Sequence, residues 1–182
     1  MASIHTYVVS SLPALMFGMK PPISFTKFLS LCKDLIPDDE LAVLAGLAAS
    51  EVVLRAGAQN ETLKKWRSFD TMLRNELVEV RASRKKIDPS KYLRPDSYPG
   101  SSYAAHIAIN AYRKPSILEA ERSLDTDRWR ELDELLVGHY FDADTLIIYA
   151  LKLLILEKWD KVYAADKERL LESALAGKVA EE

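Results

Sequence analysis

The sequence predicts an all-α protein, a helical bundle with a long C-terminal helix, and three observations support this prediction. Only six of the 182 residues are glycine, so helix-breaking positions are few. Apolar residues recur mainly at steps of three and four, which places them on one face of a helix. The third observation is the run 146–156, which is apolar except for Lys152. A bilayer span needs about 20 apolar residues, so this shorter run indicates a helix surrounded by protein.

The N-terminal third predicts three short elements. Residues 4–15 are compatible with a short strand or a short helix, and propensity does not decide between them. Ser24 can cap a helix that extends to about Leu35. Another helix is expected from Pro37 to about Arg55, because three acidic residues follow this proline, where the positive end of the helix dipole favours them.

The middle of the chain predicts one long helix, capped by Asn60 and extending over about 61–86. Its apolar residues form a stripe that comprises Trp66, Phe69, Leu73, Leu77 and Val80. An irregular, proline-containing segment follows over 88–100, and then a helix over about 102–113. Two further helices are expected, which begin at the capping box Ser116–Glu119 and at a second cap: Asp125.

The last predicted helix extends over 142–176, since neither proline nor glycine interrupts it. At 1.5 Å per residue it would be on the order of 50 Å long. The sequence predicts a single domain over 1–182, and a compact domain of this size has a radius of gyration of only about 16 Å. The helix would therefore either project from the domain or fold back onto it, and both alternatives remain open.

Composition restricts the class of protein. The formal net charge of -2 argues against a nucleic-acid partner, which would usually require a basic excess. Cys32 is the only cysteine, so no internal disulfide is possible, which is typical of a reducing compartment. We interpret this thiol as a small buried hydrophobe. Since the N-terminus lacks the pattern of a signal peptide, we expect a cytoplasmic protein without a membrane span.

No motif in the chain predicts catalysis. The three histidines lack a second ligand at metal-binding spacing, and there is no phosphate loop, nucleophile elbow or dinucleotide fingerprint. We therefore expect neither an enzyme nor a bound cofactor or metal. The alternative is an enzyme with a site around Glu76 and His139. Glu76 borders the apolar stripe of its helix, where a partly buried carboxylate needs a partner.

Two surfaces are candidates for binding a protein partner. The first is an amphipathic stripe in the C-terminal helix, formed by Trp159, Tyr163, Leu170 and Leu171. The second is a row of arginines spaced seven apart along the long middle helix, formed by Arg67, Arg74 and Arg81. The alternative for the stripe is packing within the domain, and the alternative for the arginines is a solvated face.

Three phrases of the sequence together resemble a bacterial family known as domain of unknown function 2764. They are Ser10–Pro13 followed by Lys20–Ser24, then Leu73–Leu77, and finally Gly138–Asp142 followed by Leu151–Leu156. Members of that family are commonly encoded in V-type ATP synthase operons. The resemblance extends from about Tyr7 to Trp159.

That family in turn resembles the rotor-connecting subunit of V/A-type ATPases, a helical protein between the membrane rotor ring and the central stalk. The resemblance implies a non-catalytic component or assembly protein of such an ATP synthase, which couples or assembles the rotor through helix-to-helix contacts. It would be peripheral at the inner membrane through the complex. The connecting subunit is longer and internally repeated, so a rotor subunit and an assembly factor both remain open. The alternative is a general cytoplasmic helical adaptor.

Overall fold

The computed structural model describes residues 5–48, 60–94 and 102–165, and this part of the chain is helical with no strand. Its seven α-helices are α1 (His5–Ser11), α2 (Phe25–Cys32), α3 (Asp38–Gly46), α4 (Glu61–Lys85), α5 (Ser102–Tyr112), α6 (Ile117–Leu135) and α7 (Ala143–Ala164). The predicted all-α class is confirmed, and the N-terminal segment forms a helix rather than a strand. Among the described helices, none is both long and apolar enough to cross a membrane.

Helix α7 forms the centre of the main core, as its apolar sequence predicts. Leu151 and Ile155 lie one turn apart on one side of α7 and are only 8% and 9% exposed, and Leu153 on the opposite side is fully buried. The helix packs against α1, α2, α3 and α6. It ends at Ala164, since Ala165 has left the helical conformation, and not at Ala176 as predicted. A 22-residue helix is about 33 Å long, which a domain of this size can accommodate. Residues 166–176 lie outside the described part.

The one charged residue in the apolar run, Lys152, is buried with its charge compensated. Its ammonium group pairs with the carboxylate of Asp133 on α6. The same group lies 5.1 Å from the ring centroid of Trp129, a cation–π contact. The aliphatic part of the lysine side chain can therefore contribute to the core while its charged end reaches the edge of α6.

The short helices α1 to α3 pack onto α7, and polar contacts join α2 and the segment after α1 to it. The carboxylate of Glu157 on α7 accepts a hydrogen bond of 2.6 Å from the backbone N–H of Phe25, the first residue of α2. The hydroxyl of Tyr149 donates to the carbonyl of Pro13 at 3.0 Å. Helix α2 ends at Cys32, three residues before the predicted Leu35, and burial raises the pKa of this thiol to about 11.

Helix α3 is also shorter than predicted. It ends at Gly46 rather than near Arg55. Residues 49–59, which include most of the predicted remainder, lie outside the described part. The acidic first turn of α3 is present as expected. The carboxylate of its Glu40 lies 2.6 Å from the imidazole Nε2 of His5, and this contact joins α3 to α1.

A single helix, α6, replaces the two helices that were predicted after residue 116. Ser116 caps it as expected, since its hydroxyl accepts a hydrogen bond from the backbone N–H of Glu119. Asp125, however, is not a cap. It lies in the middle of α6 and is 2% exposed. A carboxylate in that position requires compensating donors.

Three donors surround the buried carboxylate of Asp125. Its Oδ2 accepts from the ammonium of Lys158 at 2.8 Å and from the indole N–H of Trp159 at 2.9 Å, both on α7. Its Oδ1 accepts from the guanidinium of Arg128 at 2.9 Å. Asp125 therefore joins α6 to α7 through the core.

The same network reaches α4. The Nε of Arg128 donates to Asp70 at 3.1 Å, and Asp70 also accepts from Arg74 at 2.6 Å. Burial alone would lower the pKa of Arg128, but the carboxylates of Asp70 and Asp125 outweigh it and raise the pKa. At the other end, Lys158 also pairs with Glu121 at 3.0 Å. Positive and negative groups therefore alternate across three helices.

Helices α4 and α5 run in the same direction. The guanidinium of Arg84, at the end of α4, lies 4.8 Å from the ring centroid of Tyr112, at the end of α5. The described residues 86–94 return along α4 as far as Asn75. The side-chain amide of Asn75 fixes this segment to α4. It accepts a hydrogen bond of 2.9 Å from the backbone N–H of Arg94 and donates one of 3.1 Å to the backbone carbonyl of Arg94.

Helix α6 then runs back antiparallel to α5. Four residues join the two helices. Burial and then the carboxylate of Asp127 raise the pKa of Tyr103, so the start of α5 lies beside the second half of α6. A second, smaller apolar cluster fills the space between α4, α5 and α6, and its members are Phe69, Leu73, Ile107, Ala111 and Leu124.

We expect Asp125→Ala to lower the free energy of unfolding by about 3–5 kcal/mol, because it leaves buried donors of Arg128 and Trp159 without an acceptor. Urea denaturation monitored by circular dichroism measures this change. The matched control is Asp127→Ala, two residues away. Its side chain is 14% exposed, but its partner Arg130 is 66% exposed and can be solvated once the pair is lost, so this variant should cost less than about 1 kcal/mol. Equal losses in the two variants would contradict the role assigned to Asp125.

Candidate functional site

The predicted stripe on the C-terminal helix does not form a partner-binding surface at its first residue. Trp159 is 4% exposed, and its indole donates to Asp125 inside the protein. Tyr163 is 53% exposed, and its ring packs against that of Trp159 at 5.6 Å. Leu170 and Leu171 lie outside the described residues. The prediction that Trp159 contacts a partner is therefore wrong, because its indole is buried and donates a hydrogen bond to a carboxylate in the core.

The arginine row is not a continuous exposed face either. Arg67 is partly buried, and within the described chain its Nε and Nη2 atoms are buried without a hydrogen-bond partner. Burial lowers the pKa of this guanidinium. Arg74 is exposed but pairs with Asp70, and Arg81 is exposed. The three side chains thus have three different environments.

Glu76 and His139, the residues of the alternative enzyme, do not share a site. His139 lies 3.7 Å from one carboxylate oxygen of Asp144. The other oxygen accepts a hydrogen bond from Asn60, at the start of α4. Glu76 is sixteen residues further along α4, a distance of about 24 Å. Partial burial and then the charge of Glu79 raise the pKa of Glu76. The pKa of Glu76 is raised because this residue lies at the border of the apolar stripe, and His139 is too distant to contribute.

A different feature stands out on the surface, the connection between α6 and α7. We call residues 136–142 the α6–α7 turn. It presents three apolar side chains to solvent, because Val137 is 81% exposed, Tyr140 73% and Phe141 46%. On either side of them, Leu136 and Ala143 are only partly exposed. Such a concentration of exposed apolar groups in a short segment is typical of a binding surface.

The backbone of this turn has one defined conformation. Gly138 has a φ of +92°, which residues with a side chain rarely adopt, although a Cβ there would meet no atom within 4 Å. Conformation rather than space therefore requires the glycine. The turn is closed by a hydrogen bond of 3.0 Å from the backbone N–H of His139 to the carbonyl of Leu136. The reversal places Tyr140 and Phe141 outside the bundle.

Asp142 connects the turn to α7. One carboxylate oxygen accepts hydrogen bonds of 2.9 Å from the backbone N–H and the hydroxyl of Thr145, so Asp142 caps the helix. The other oxygen lies 2.6 Å from Nδ1 of His139. Partial burial opposes ionisation of Asp142, but the hydrogen bonds from His139 and Thr145 outweigh burial and lower its pKa.

A further contact joins the turn region to α4. Asp144, in the first turn of α7, accepts a hydrogen bond of 2.9 Å from the amide of Asn60. The carbonyl oxygen of the same amide accepts from the backbone N–H of Leu63 and caps α4 as predicted. The starts of α4 and α7 are therefore held together, and the turn is supported from two sides.

His139, Asp142 and Asp144 also bring three metal-ligating atoms within 4.8 Å of one another. The surroundings disfavour a cation. The cluster lies at the N-terminus of α7, the positive end of its dipole. Both carboxylates already accept hydrogen bonds. We interpret these residues as a brace for the turn, and the prediction that the protein binds no metal remains a prediction.

The sequence predicts part of this turn but not the exposure of its apolar side chains. The predicted start of the last helix at residue 142 is confirmed, since Asp142 is the N-cap of α7. An apolar residue between a glycine that ends one helix and an aspartate that caps the next is the signal that could have identified an exposed position.

The comparisons with known proteins add no identification. No protein-family model matches the chain, and neither a curated protein nor a solved structure matches it.

We expect Asp142→Asn to lower stability above about pH 4, the ordinary range of an aspartate, and to have less effect in acid. The lowered pKa of Asp142 means that its ionised form stabilises the folded state above that range, and this contribution disappears as the pH falls through the folded-state pKa. The asparagine side chain can still cap α7, so the cap itself is preserved. Unfolding by urea as a function of pH measures the difference between the two proteins. A stability difference that persists unchanged into strong acid would contradict this account.

Proposed function

We propose that this protein is a non-catalytic component or assembly protein of a V/A-type ATP synthase, and that it binds its partner through the α6–α7 turn. The observation that carries the proposal is the exposure of Val137, Tyr140 and Phe141 on a turn with a fixed backbone. Aromatic side chains dominate the energetics of protein interfaces. Because the turn is already ordered by His139 and Asp142, less conformational entropy is lost on binding.

The assignment of the partner rests on the sequence. The phrase Gly138–Asp142, one of those that resemble domain of unknown function 2764, coincides with the turn. A rotor-ring or central-stalk subunit is therefore the proposed partner. Exposed residues of the turn would contact a helix of that subunit, so on this side the turn takes the place of a helix in the helix-to-helix contacts that the resemblance implies. A general helical adaptor, unrelated to the ATP synthase, would use the same turn for another partner.

The test is affinity purification of the tagged full-length protein from membranes of its own host in a mild detergent. We expect rotor-ring or stalk subunits to co-purify. Tyr140→Ala should weaken this association by more than about 1 kcal/mol, which is about fivefold, because the side chain is an exposed aromatic anchor. Since Tyr140 is 73% exposed, the thermal unfolding midpoint should not change.

Tyr7→Ala is the matched control, since Tyr7 lies on α1 and is 71% exposed. It should leave the association intact. Stoichiometric recovery of ATP synthase subunits would identify a structural subunit, and substoichiometric recovery an assembly factor. If no ATP synthase subunit co-purifies, the proposal is rejected, and specific loss of other proteins with Tyr140→Ala would then support the adaptor.

A further inference from the structure

One end of the bundle carries a dense group of basic side chains, which we call the basic end. The parallel arrangement of α4 and α5 places the C-terminal ends of both helices there, as the contact of Arg84 with Tyr112 demonstrates. The basic residues at or just after these two helix ends are Arg81, Arg84, Lys85, Lys86, Arg113 and Lys114. All six are exposed.

The charge at the basic end is not neutralised locally. Residues 81–88 and 112–119 contain six basic and two acidic residues, a net charge of +4 in a protein whose net charge is -2. Two helix C-termini contribute only about half a negative charge each. Among the ion pairs between described residues, none involves any of the six basic residues, in contrast to Arg74 and Lys158 in the network of Asp125. Helix capping alone therefore does not account for the basic end.

Exposed aliphatic side chains lie directly beside these charges. Ile87 follows Lys86 and is 47% exposed. Ile117 and Leu118 begin α6, immediately after the basic residues that follow α5, and are 86% and 45% exposed. Ile117 is the most exposed of the large hydrophobic residues in the described part of the chain. The basic end thus combines cations with protruding apolar groups.

We infer that the basic end binds the surface of an anionic phospholipid bilayer. Basic clusters are attracted to anionic headgroups, and each lysine or arginine near the surface adds to this attraction. Aliphatic side chains between them can insert into the boundary of the acyl region. A nucleic acid fits less well, because aliphatic tips offer no stacking platform and the ring of Tyr112 is covered by Arg84.

This inference is independent of the proposed function, because the two surfaces lie at opposite ends of α6. Ile117 is the first residue of α6, and the α6–α7 turn follows its last residue, Leu135. A helix of 19 residues separates them by about 28 Å. Binding of a membrane at the basic end would therefore leave the turn accessible.

The test is co-sedimentation of the full-length protein with vesicles of phosphatidylcholine alone or mixed with phosphatidylglycerol. We expect binding to the mixed vesicles only, and release at high salt because screening weakens the attraction. The double variant Lys85→Glu, Lys114→Glu should reduce the partition coefficient at least about tenfold. Ile117→Ser should reduce binding at low and intermediate salt without changing the dependence on lipid charge.

The control is Lys27→Glu, Lys33→Glu, which changes two exposed lysines on and next to α2 and shifts the net charge by the same amount. It should retain most of the binding. Circular dichroism checks that all variants fold, and since every substituted residue is exposed, the spectra should match that of the unchanged protein. Equal losses in both double variants, binding to neutral vesicles, or binding to RNA or DNA but not to vesicles would each overturn the inference.

Discussion

The buried carboxylate of Asp125 is the contact on which the arrangement of the larger helices depends. Apolar packing has little directional preference, so a helix with an apolar surface on most sides, such as α7, could rotate or slide in its core. Asp125 prevents this because it must meet Lys158 and Trp159 of α7 while Arg128 continues to α4. Compared with apolar residues in the same place, the buried ion pair of Asp125 with Arg128 adds little to net stability. We interpret the network of Asp125 as the feature that fixes the rotation and register of α7.

The two proposed surfaces follow from that arrangement. Since α6 carries Asp125 in its middle, its orientation relative to α7 is fixed, and so is the turn that joins them. The same helix starts at the basic end, where the C-termini of α4 and α5 meet. The core network therefore determines how the α6–α7 turn and the basic end are placed relative to each other, although neither surface contacts Asp125 itself.

Local signals predicted the elements well, and long-range contacts account for the errors. The cap at Asn60, the cap at Ser116 and the central place of the run 146–156 depend on neighbouring residues, and all three are confirmed. Asp125 has the residue type of a helix cap, and only its contacts with α7 reveal that it is a core acceptor.

The errors at the candidate sites have the same origin. The burial of Trp159 depends on Asp125, so a sequence pattern could not distinguish it from an exposed aromatic residue. The basic residues at the end of α4 are visible in the sequence as a cluster. Arg113 and Lys114 lie beside these residues only because α5 is parallel to α4, and no local pattern specifies that direction. The exposure of Tyr140 likewise depends on where the turn leaves the bundle.

The parallel direction of α4 and α5 also has a consequence for the order of folding. Four residues join α5 to α6 and seven join α6 to α7, so these antiparallel pairs close short loops. Pairing of α4 with α5 requires the chain to return over the sixteen residues 86–101, which costs more loop-closure entropy. We therefore expect α5, α6 and α7 to associate first and α4 to dock later. The hydrogen bonds between Asn75 and Arg94 would then form after the main barrier to folding.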